Sequence, residues 1–552
     1  MPALERLIEA DAVRRLRERD ASLFSADMDG RIPIMQRLGW TDLAEKATGR
    51  LPLLDSLASA LVEEGVTDVL LLGMGGSSLA PLVIQQVISV TPPHPRLHVL
   101  DTTSPIQISD TLDALEPDRT FVIVASKSGT TIEPLSLYAI VRRWLEASGM
   151  TRAQAGRRCL VITDQGTPLE KLRQRDLMRM TLSAPQTVGG RYSALSMFGL
   201  APAALIGVHL PSLIARAEAM ERACEAPAAE NPAALLAAWM TDAYEAGKDK
   251  LTLVFSERFA SLGLWIEQLV AESLGKDGRG LVPVIEYEPA TAAGYGSDRA
   301  VVVVRLTDDE ALESWSRDRA GAHPVFEVTV TDVFDLGGEF VRWEHAVALA
   351  GFLLGVNPFD ELAVTEAKQA TTAILEGGAS EVPGAQADVG GTWVTFAGGL
   401  GATTEALADR AAAMRAAIGA TAPDDYLALL VYAPEDEARL APLRHAASVL
   451  SRTTGRAVCL ELGPRYLHST GQLHKGGPNN GVFVLVTTRD RTDLEIPGKP
   501  FTLAALHRAQ AEGDLVTLAR HDRRVLRFDL PSADAAAFQA LAADLISATR
   551  AD

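Results

Sequence analysis

The sequence predicts an α/β fold: two doubly wound parallel-sheet domains followed by a further α/β domain at the C-terminus. Short apolar runs alternate along the chain with longer helix-like stretches, which is typical of parallel strands covered by helices. The chain has 552 residues, too many for one hydrophobic core. Its residues are 47% hydrophobic but only 5% aromatic, a balance rich in Ala, Leu and Val that suits α/β domains.

The first series of strands lies in the N-terminal third of the chain. It comprises DVLLLGM from Asp68, RLHVLDTT from Arg96, TFVIVASKSGTT from Thr120 and CLVITD from Cys159. The residues before it predict helix. We therefore expect an N-terminal helical segment over residues 1–60 and a first α/β domain over residues 61–245.

Two further series of strands follow. KLTLVFS, AVVVVRL and PVFEVTV, with the long apolar helix EFVRWEHAVALAGFLLGV, predict a second domain over residues 246–380. Residues 376–394 are rich in Gly, Ala and Pro, which predicts a linker. YLALLVYA, AVCLELG, NGVFVLVTT and RVLRFDL then predict a C-terminal α/β domain over residues 395–552.

Charge and cysteine content narrow the class of protein. A formal net charge of −19 argues against nucleic acid or an anionic membrane as a partner. The three cysteines show no metal-ligand spacing, and such a sparse set fits a reducing compartment. The first residues do not have the pattern of a signal peptide, and the apolar stretches are too short to cross a bilayer. We expect a cytoplasmic protein with no metal site.

Two loops rich in Gly, Ser and Thr each follow a predicted strand and open a helix. They are Gly73-Met74-Gly75-Gly76-Ser77-Ser78 and Ser126-Lys127-Ser128-Gly129-Thr130-Thr131. Free backbone N–H groups and the helix dipole make such junctions anion sites. The first loop could equally be an ordinary turn with hydroxyl caps. Neither loop completes a nucleotide motif, because one lacks the GxxxxGK[ST] order and the other has Ser78 at the third Gly position of GxGxxG.

Four motifs in order carry a family resemblance. SKSGTT resembles the phosphosugar loop of sugar isomerase (SIS) domains. VGGRYSALSMFGL, AESLGKDGRGLVP and VNPFDELAVTEAK resemble three segments of the phosphoglucose isomerase family. The C-terminal segments LHSTGQLHKGGPN and AQAEGD are similar to the isomerase half of bifunctional transaldolase/phosphoglucose isomerase proteins. The resemblance implies two SIS-type domains and an enzyme that interconverts glucose 6-phosphate and fructose 6-phosphate without a cofactor.

The resemblance also implies catalytic roles. Glu272 would move the proton between C2 and C1, and Arg191 would stabilise the enediolate, since a fixed cation suits developing negative charge. Lys368 would assist ring opening. His468 would protonate the ring oxygen, because an imidazole exchanges protons near neutral pH.

A second set of residues would bind the substrate. The resemblance places the phosphate on the second loop, with Lys127 nearby, and the sugar beside the first loop. Glu361 stands where the family has a substrate-facing glutamine. The implied binding residues are Gly76, Ser77, Ser126, Lys127, Ser128, Thr130, Thr131 and Glu361.

Two features depart from the family pattern. The histidine segment normally lies between the glutamate and lysine segments, whereas LHSTGQ follows Lys368; His345 and His474 are therefore rivals of His468. In the family dimer this histidine comes from the neighbouring subunit, so a homodimer is expected here, with the C-terminal domain donating His468 to its own or its partner's site. Glu361 is acceptor-only when ionised and would repel a phosphosugar. Either it turns away, or it pairs with Lys368 or another cation, or the substrate contacts differ from those of the family.

Other functions fit parts of the pattern. A non-catalytic phosphosugar sensor of the SIS type would keep SKSGTT but would need neither Glu272 nor Arg191. An isomerase that also accepts mannose 6-phosphate is a second alternative, because choice between epimers depends on pocket shape. A glucosamine-phosphate synthase fits less well, since no N-terminal Cys nucleophile is present.

Overall fold

The computed structural model describes residues 1–289, 294–378, 384–403 and 405–550. The predicted domain boundary at residue 380 lies outside these ranges. Within them the strands form three sheets, of five, four and six strands. The α/β class predicted from the sequence is confirmed.

The first 67 residues form helices and the loops that connect them, and they share a core with the two sheets that follow. Leu7, Leu38 and Trp40 are buried in a cluster that also contains Leu71 of the first sheet and Leu253 of the second. The helices are α1 (Ala3–Glu9), α2 (Ala12–Arg17), α3 (Met28–Met35), α4 (Leu43–Ala47) and α5 (Leu51–Glu63).

The first sheet is entirely parallel, with strand order β2-β1-β3-β4-β5. Its central strands are buried along their whole length, as their continuous apolar sequences predict. The strands are β1 (Asp68–Leu72), β2 (Arg96–Leu100), β3 (Thr120–Ala125), β4 (Cys159–Asp164) and β5 (Thr181–Ala184). The helices are α6 (Leu79–Ile88), α7 (Pro105–Asp113), α8 (Ile132–Ala147), α9 (Arg152–Arg157), α10 (Pro168–Arg175), α11 (Met197–Leu205), α12 (Leu210–Ala223) and α13 (Pro232–Glu245).

The second sheet is also parallel, with strand order β7-β6-β8-β9. The strands are β6 (Lys250–Phe255), β7 (Val282–Ile285), β8 (Arg299–Leu306) and β9 (Val325–Val330). The helices are α14 (Leu262–Leu274), α15 (Glu310–Arg319), α16 (Leu336–Leu354) and α17 (Leu362–Leu375). The buried helix α16 is followed by Gly355, which has a positive φ and caps its C-terminus. The dipeptide Asn357-Pro358 comes two residues later and cannot continue the helix.

The third sheet is mixed, with strand order β10-β11-β15-β14-β12-β13. Strands β11 and β15 pair antiparallel, and the strands from β15 to β13 are parallel. The strands are β10 (Ala385–Val389), β11 (Thr392–Gly398), β12 (Tyr426–Val431), β13 (Ala457–Leu462), β14 (Gly481–Thr488) and β15 (Arg524–Leu530). The helices are α18 (Arg410–Gly419), α19 (Glu437–Thr454), α20 (Gly471–Gly476), α21 (Leu503–Arg520) and α22 (Ala535–Ser547).

Part of the predicted linker is a β-hairpin. Residues 385–398 form β10 and β11, which pair antiparallel around a turn at Gly390 and Gly391. Both glycines have positive φ, which such tight turns require. The Gly-rich composition therefore marks a turn here, and the expectation of a linker was wrong for residues 385–394.

Among the described residues, no helix combines the length and the apolar character that crossing a bilayer requires.

Candidate active site

A cavity of about 320 Å³ opens at the carboxyl ends of β1 and β3. Open α/β sheets bind ligands at this edge. Helix α14 and the segments that carry residues 358–361 and 465–469 border the cavity. The structure brings ten of the twelve residues predicted for the site to its wall: Gly76, Ser77, Lys127, Ser128, Thr131, Arg191, Glu272, Glu361, Lys368 and His468.

The first loop packs against two neighbouring backbones, and its glycines permit this. A Cβ on Gly76 would lie 2.1 Å from the Gly190 carbonyl oxygen. A Cβ on Gly75, which has a φ of 54°, would lie 2.9 Å from the His468 carbonyl oxygen. The absence of side chains at these positions lets the segments that carry Arg191 and His468 meet.

Some hydroxyl groups of the second loop form hydrogen bonds within the loop, and others line the cavity. Ser126 is buried; its Oγ lies 2.8 Å from Thr131 Oγ1 and accepts the Gly129 N–H at 3.2 Å. Ser128 and Thr131 line the cavity, and Ser128 Oγ lies 3.0 Å from Thr130 Oγ1. Thr130 lines a smaller adjoining cavity of about 190 Å³. Ser126 and Thr130 are thus the two predicted residues that do not reach the larger cavity.

Lys127 is ion-paired within the loop region. Its Nζ donates to the Asp164 carboxylate at the end of β4 and to the Gln186 carbonyl oxygen at 3.3 Å. Burial lowers the pKa of Lys127 below its usual value. Much of its charge is therefore neutralised before any ligand arrives.

Arg191 and Glu272 form an ion pair in the cavity wall. Arg191 Nη1 lies 2.9 Å from Glu272 Oε1, and both side chains are largely buried. Arg191 Nε donates to Ser273 Oγ at 2.8 Å, and Nη2 donates to the Pro358 carbonyl oxygen at 2.7 Å. The guanidinium is held in a fixed orientation beside the carboxylate, as a preorganised electrostatic group requires.

Burial tunes the Glu272 carboxylate. It raises the pKa of Glu272 above its usual value, and the neighbouring Arg191 opposes this. Gln268, one turn earlier on α14, donates to Glu272 Oε2 at 3.1 Å and to the His468 carbonyl oxygen at 2.8 Å. Glu272 therefore has the raised basicity and the fixed geometry of a general base.

Lys276 secures the segment that orients Arg191. Its Nζ donates to the Asn357 carbonyl oxygen at 2.5 Å and to Asp360 Oδ1 at 2.6 Å. Burial, together with the positive charge of Arg191, lowers the pKa of Lys276 to about 8. The sequence reasoning overlooked Lys276, although it stands within the quoted AESLGK motif.

Glu361 pairs with a cation rather than turning away from the cavity. Its Oε2 lies 3.4 Å from Arg191 Nη1, and its side chain is 44% exposed. Because the Glu361 carboxylate is half-exposed, solvent screens its attraction to Arg191. The carboxylate thus stands at the mouth of the cavity, near the place of an incoming anion.

Replacement of Glu361 by glutamine is expected to preserve turnover. Glu361→Gln keeps an acceptor near Arg191 and removes a negative charge that repels an anionic ligand. We expect kcat within about threefold of the wild-type value and an unchanged or lower KM for fructose 6-phosphate. Glu366→Gln, on the exposed part of α17, is the matched control. A large fall in kcat confined to Glu361→Gln would show that the carboxylate has a positive role.

His468 reaches the cavity of its own chain and contacts a buried glutamate. Its Nε2 lies 2.9 Å from Glu133 Oε1, which also accepts the Gln510 amide at 2.7 Å. Burial favours the neutral form of Glu133, but His468, a backbone hydrogen bond and the charge of Lys368 together lower the pKa of Glu133 below its usual value. Nδ1 of His468 has no partner among the described residues. It is therefore available to a ligand.

The rival histidines lie elsewhere. His345 packs edge-on against Trp40, with its Nδ1 bonded to the Val341 carbonyl oxygen, and burial lowers its pKa to about 4. His474 is buried, 3.3 Å from Glu461. Neither lines the cavity.

Loss of the Glu133 charge is expected to lower kcat, because Glu133 holds His468 in place. Glu133→Gln keeps a hydrogen-bonding group near Nε2 but removes the anion that stabilises a charged imidazole. We expect kcat to fall roughly 10-fold or more, and His468→Ala to lose roughly 10²-fold or more. Glu146→Gln, on the exposed side of α8, is the control. Full activity of His468→Ala would remove the histidine from the mechanism.

Lys368 lies on the wall that the two cavities share. Its side chain is exposed, and its ammonium has no ion-pair or hydrogen-bond partner in the described part of the chain. Its positive charge acts on Glu133. A free cation at this position could contact either the ring oxygen or the phosphate of a ligand.

Within the described ranges, no three His, Cys, Asp or Glu side chains are grouped so that they could hold a metal ion.

The α/β architecture of parallel sheets with a cavity at the strand ends is that of the sugar isomerase fold. A glucose-6-phosphate isomerase of Chlamydia trachomatis has this fold, with a TM-score of 0.54, 17% identity and coverage of 68% of this chain and 86% of its own. A hypothetical protein of Thermus thermophilus matches with a TM-score of 0.59 at 26% identity, over 68% of this chain and 96% of its own.

Sequence comparison defines the family. The family model described as phosphoglucose isomerase matches residues 59–293. The glucose-6-phosphate isomerase of Rubrobacter xylanophilus is 31% identical over 367 residues, which cover 57% of this chain and 84% of that relative. The chain belongs to the phosphoglucose isomerase family.

Proposed function

We propose that the chain is a glucose-6-phosphate isomerase, which interconverts D-glucose 6-phosphate and D-fructose 6-phosphate through ring opening and a cis-enediolate. The observation that carries this proposal is the buried Arg191–Glu272 pair in a cavity that the hydroxyl-rich second loop also lines. In this arrangement Glu272 would act as a base, Arg191 as a fixed cation and the second loop as an anion site.

Substrate binding and ring opening would use the walls on either side of the pair. Ser128, Thr131 and the backbone N–H groups of the second loop would bind the phosphate. His468, oriented by Glu133, would give a proton to the ring oxygen as the ring opens. Lys368 would stabilise negative charge on that oxygen.

Glu272 and Arg191 would carry the isomerisation itself. Glu272 takes the proton from C2 of the aldose, which leaves a cis-enediolate with its negative charge on O1. The O2 hydroxyl proton then passes to O1, and Glu272 returns a proton to C1, so that the ketone forms at C2. Negative charge that develops on the enediolate oxygens faces the Arg191 guanidinium. Because Arg191 already bonds to Ser273 and Pro358, it needs no reorganisation in the transition state.

A coupled assay tests the proposal. Purified protein is given fructose 6-phosphate, with EDTA present, and glucose 6-phosphate is detected through its dehydrogenase. We expect turnover that EDTA does not reduce. A protein that binds fructose 6-phosphate without turnover would favour the alternative, a non-catalytic phosphosugar sensor. The same assay can be started with mannose 6-phosphate. An isomerase of dual specificity would convert it to fructose 6-phosphate and then to glucose 6-phosphate, which the dehydrogenase detects.

The finer organisation is proposed from the resemblance and the predicted elements. We propose a cytoplasmic protein that forms a homodimer, with domains at residues 61–245, 246–380 and 395–552 after the N-terminal helices. The hairpin of β10 and β11 adds residues 385–394 to the third of these domains. The position of His468 in its own chain's cavity supports a site that is complete within one subunit. Activity at protein concentrations at which light scattering finds only monomer would support a site that is complete within one subunit.

A further inference from the structure

Arg37 is a cavity residue that none of the family motifs contains. It lies between α3 and α4 in the N-terminal helical segment, is half-buried, and lines the mouth of the cavity together with Lys127, Ser128 and Glu361. Its position in the wall of the candidate active site therefore calls for an explanation.

The backbone next to Arg37 is fixed to the loop that carries Arg191. Leu38 forms an antiparallel bridge with Val188, and the Gly39 N–H donates to the Thr187 carbonyl oxygen at 2.8 Å. The Arg37 side chain passes close to Gly189, two residues before Arg191: its Cδ lies 3.9 Å from the position of a Cβ on Gly189. Arg37 is thus held at the cavity by the same loop as Arg191.

The charges in the cavity wall leave Arg37 without a protein partner. Four cations line the cavity against three carboxylates. Asp164 is paired with Lys127, and both Glu272 and Glu361 are paired with Arg191. In the described part of the chain, the guanidinium of Arg37 and the ammonium of Lys368 make no ion pair and no hydrogen bond. A half-buried arginine with no partner is poised for an anion that enters from outside.

The positive charge of Arg37 affects the pKa values of Lys127 and Asp164, which also line the cavity. Burial lowers the pKa of Lys127, and Arg37 lowers it further. Arg37 also counteracts the effect of burial on the pKa of Asp164. The guanidinium is therefore close to the Lys127–Asp164 pair, at the edge of the second loop.

We propose that Arg37 is a substrate-binding residue that contacts the phosphate group of the sugar phosphate. This inference rests on the proposed function. A phosphate dianion needs compensating charge, and Lys127 directs its charge to Asp164. A guanidinium offers a planar pair of N–H donors that matches two phosphate oxygens, and Ser128 and Thr131 of the same cavity add neutral donors. The N-terminal segment thereby becomes part of the specificity for phosphorylated sugars.

The test separates binding from chemistry. We compare wild type, Arg37→Ala, Arg37→Lys and the control Arg50→Ala, which removes the same charge from an exposed residue outside the cavity wall. The measurements are KM and kcat for fructose 6-phosphate and the Kd of inorganic phosphate by titration calorimetry. For Arg37→Ala we expect KM and the phosphate Kd to rise together, roughly 10- to 100-fold, with kcat within about threefold. Arg37→Lys should lie between wild type and Arg37→Ala, and Arg50→Ala should match wild type.

Two results would overturn the inference: unchanged KM and phosphate Kd in Arg37→Ala, or a fall in kcat without a change in phosphate affinity. The second would show that Arg37 acts on Glu361 and the Arg191–Glu272 pair instead. Failure of the proposed function is distinguishable, because a wild type without turnover can still bind phosphate. If that binding depends on Arg37, the site assignment stands and the activity assignment fails.

Discussion

Glu272→Gln is expected to lower kcat by roughly 10²- to 10⁴-fold, the range in which positioned general bases act. The amide keeps the shape of the side chain and can still contact Arg191 and Gln268, but it cannot take a proton from carbon. Substrate binding should be largely retained, because the phosphate contacts lie on the second loop. The measurement is the coupled assay, with phosphate affinity determined in parallel.

The same change elsewhere on α14 provides the control. Glu267 is also buried on this helix, and burial raises its pKa well above the usual value, but it does not line the substrate cavity. Glu267→Gln should therefore keep near-wild-type turnover. Equal losses in the two variants would point to damage to α14, and an active Glu272→Gln would exclude Glu272 as the base.

Arg191→Lys is expected to lower kcat by roughly 10²-fold or more, because an ammonium cannot reproduce the fixed guanidinium contacts. Lysine cannot at once contact Ser273, the Pro358 carbonyl oxygen and Glu272. The variant also predicts a pH signature. Since Arg191 opposes the rise in the pKa of Glu272, a weaker pairing should raise that pKa further. The base is active when ionised, so the acid limb of kcat should move to higher pH.

Tyr192→Phe is the control for Arg191. The Tyr192 hydroxyl contacts the same two groups, Ser273 Oγ at 3.3 Å and the Pro358 carbonyl oxygen at 3.4 Å, but it carries no positive charge. We expect its kcat to remain near that of the wild type. If Tyr192→Phe lost as much activity as Arg191→Lys, the loss would reflect packing of this loop and not the charge of Arg191.

The elements that the sequence predicted best are those with continuous apolar strands. β1, β3 and β12 are buried at every residue, so hydrophobicity alone identifies them. The four-residue strands β5 and β7 are too short to give such a pattern. The hairpin of β10 and β11 was overlooked because its glycines dominate the composition, and pairing with β15 supplies stability that the local sequence does not reveal.

The site was predictable where a motif fixes both residue and place, as for Glu272, Arg191 and the second loop. It was not predictable where a role depends on distant partners. Glu133 directly follows SKSGTTI, yet its contact with His468 spans 335 residues of sequence. Arg37 had no motif at all, and only the pairing of residues 38–39 with 187–188 brings it to the cavity.

The most direct test of the central claim is isomerisation of fructose 6-phosphate in D₂O, with deuterium at C2 of the glucose 6-phosphate measured by NMR. Proton transfer by Glu272 through an enediolate predicts that C2 acquires solvent deuterium, because a carboxylic acid proton exchanges during the lifetime of the intermediate. Product formed with no deuterium at C2 would indicate direct transfer of hydrogen between the carbons and would contradict Glu272 as the base.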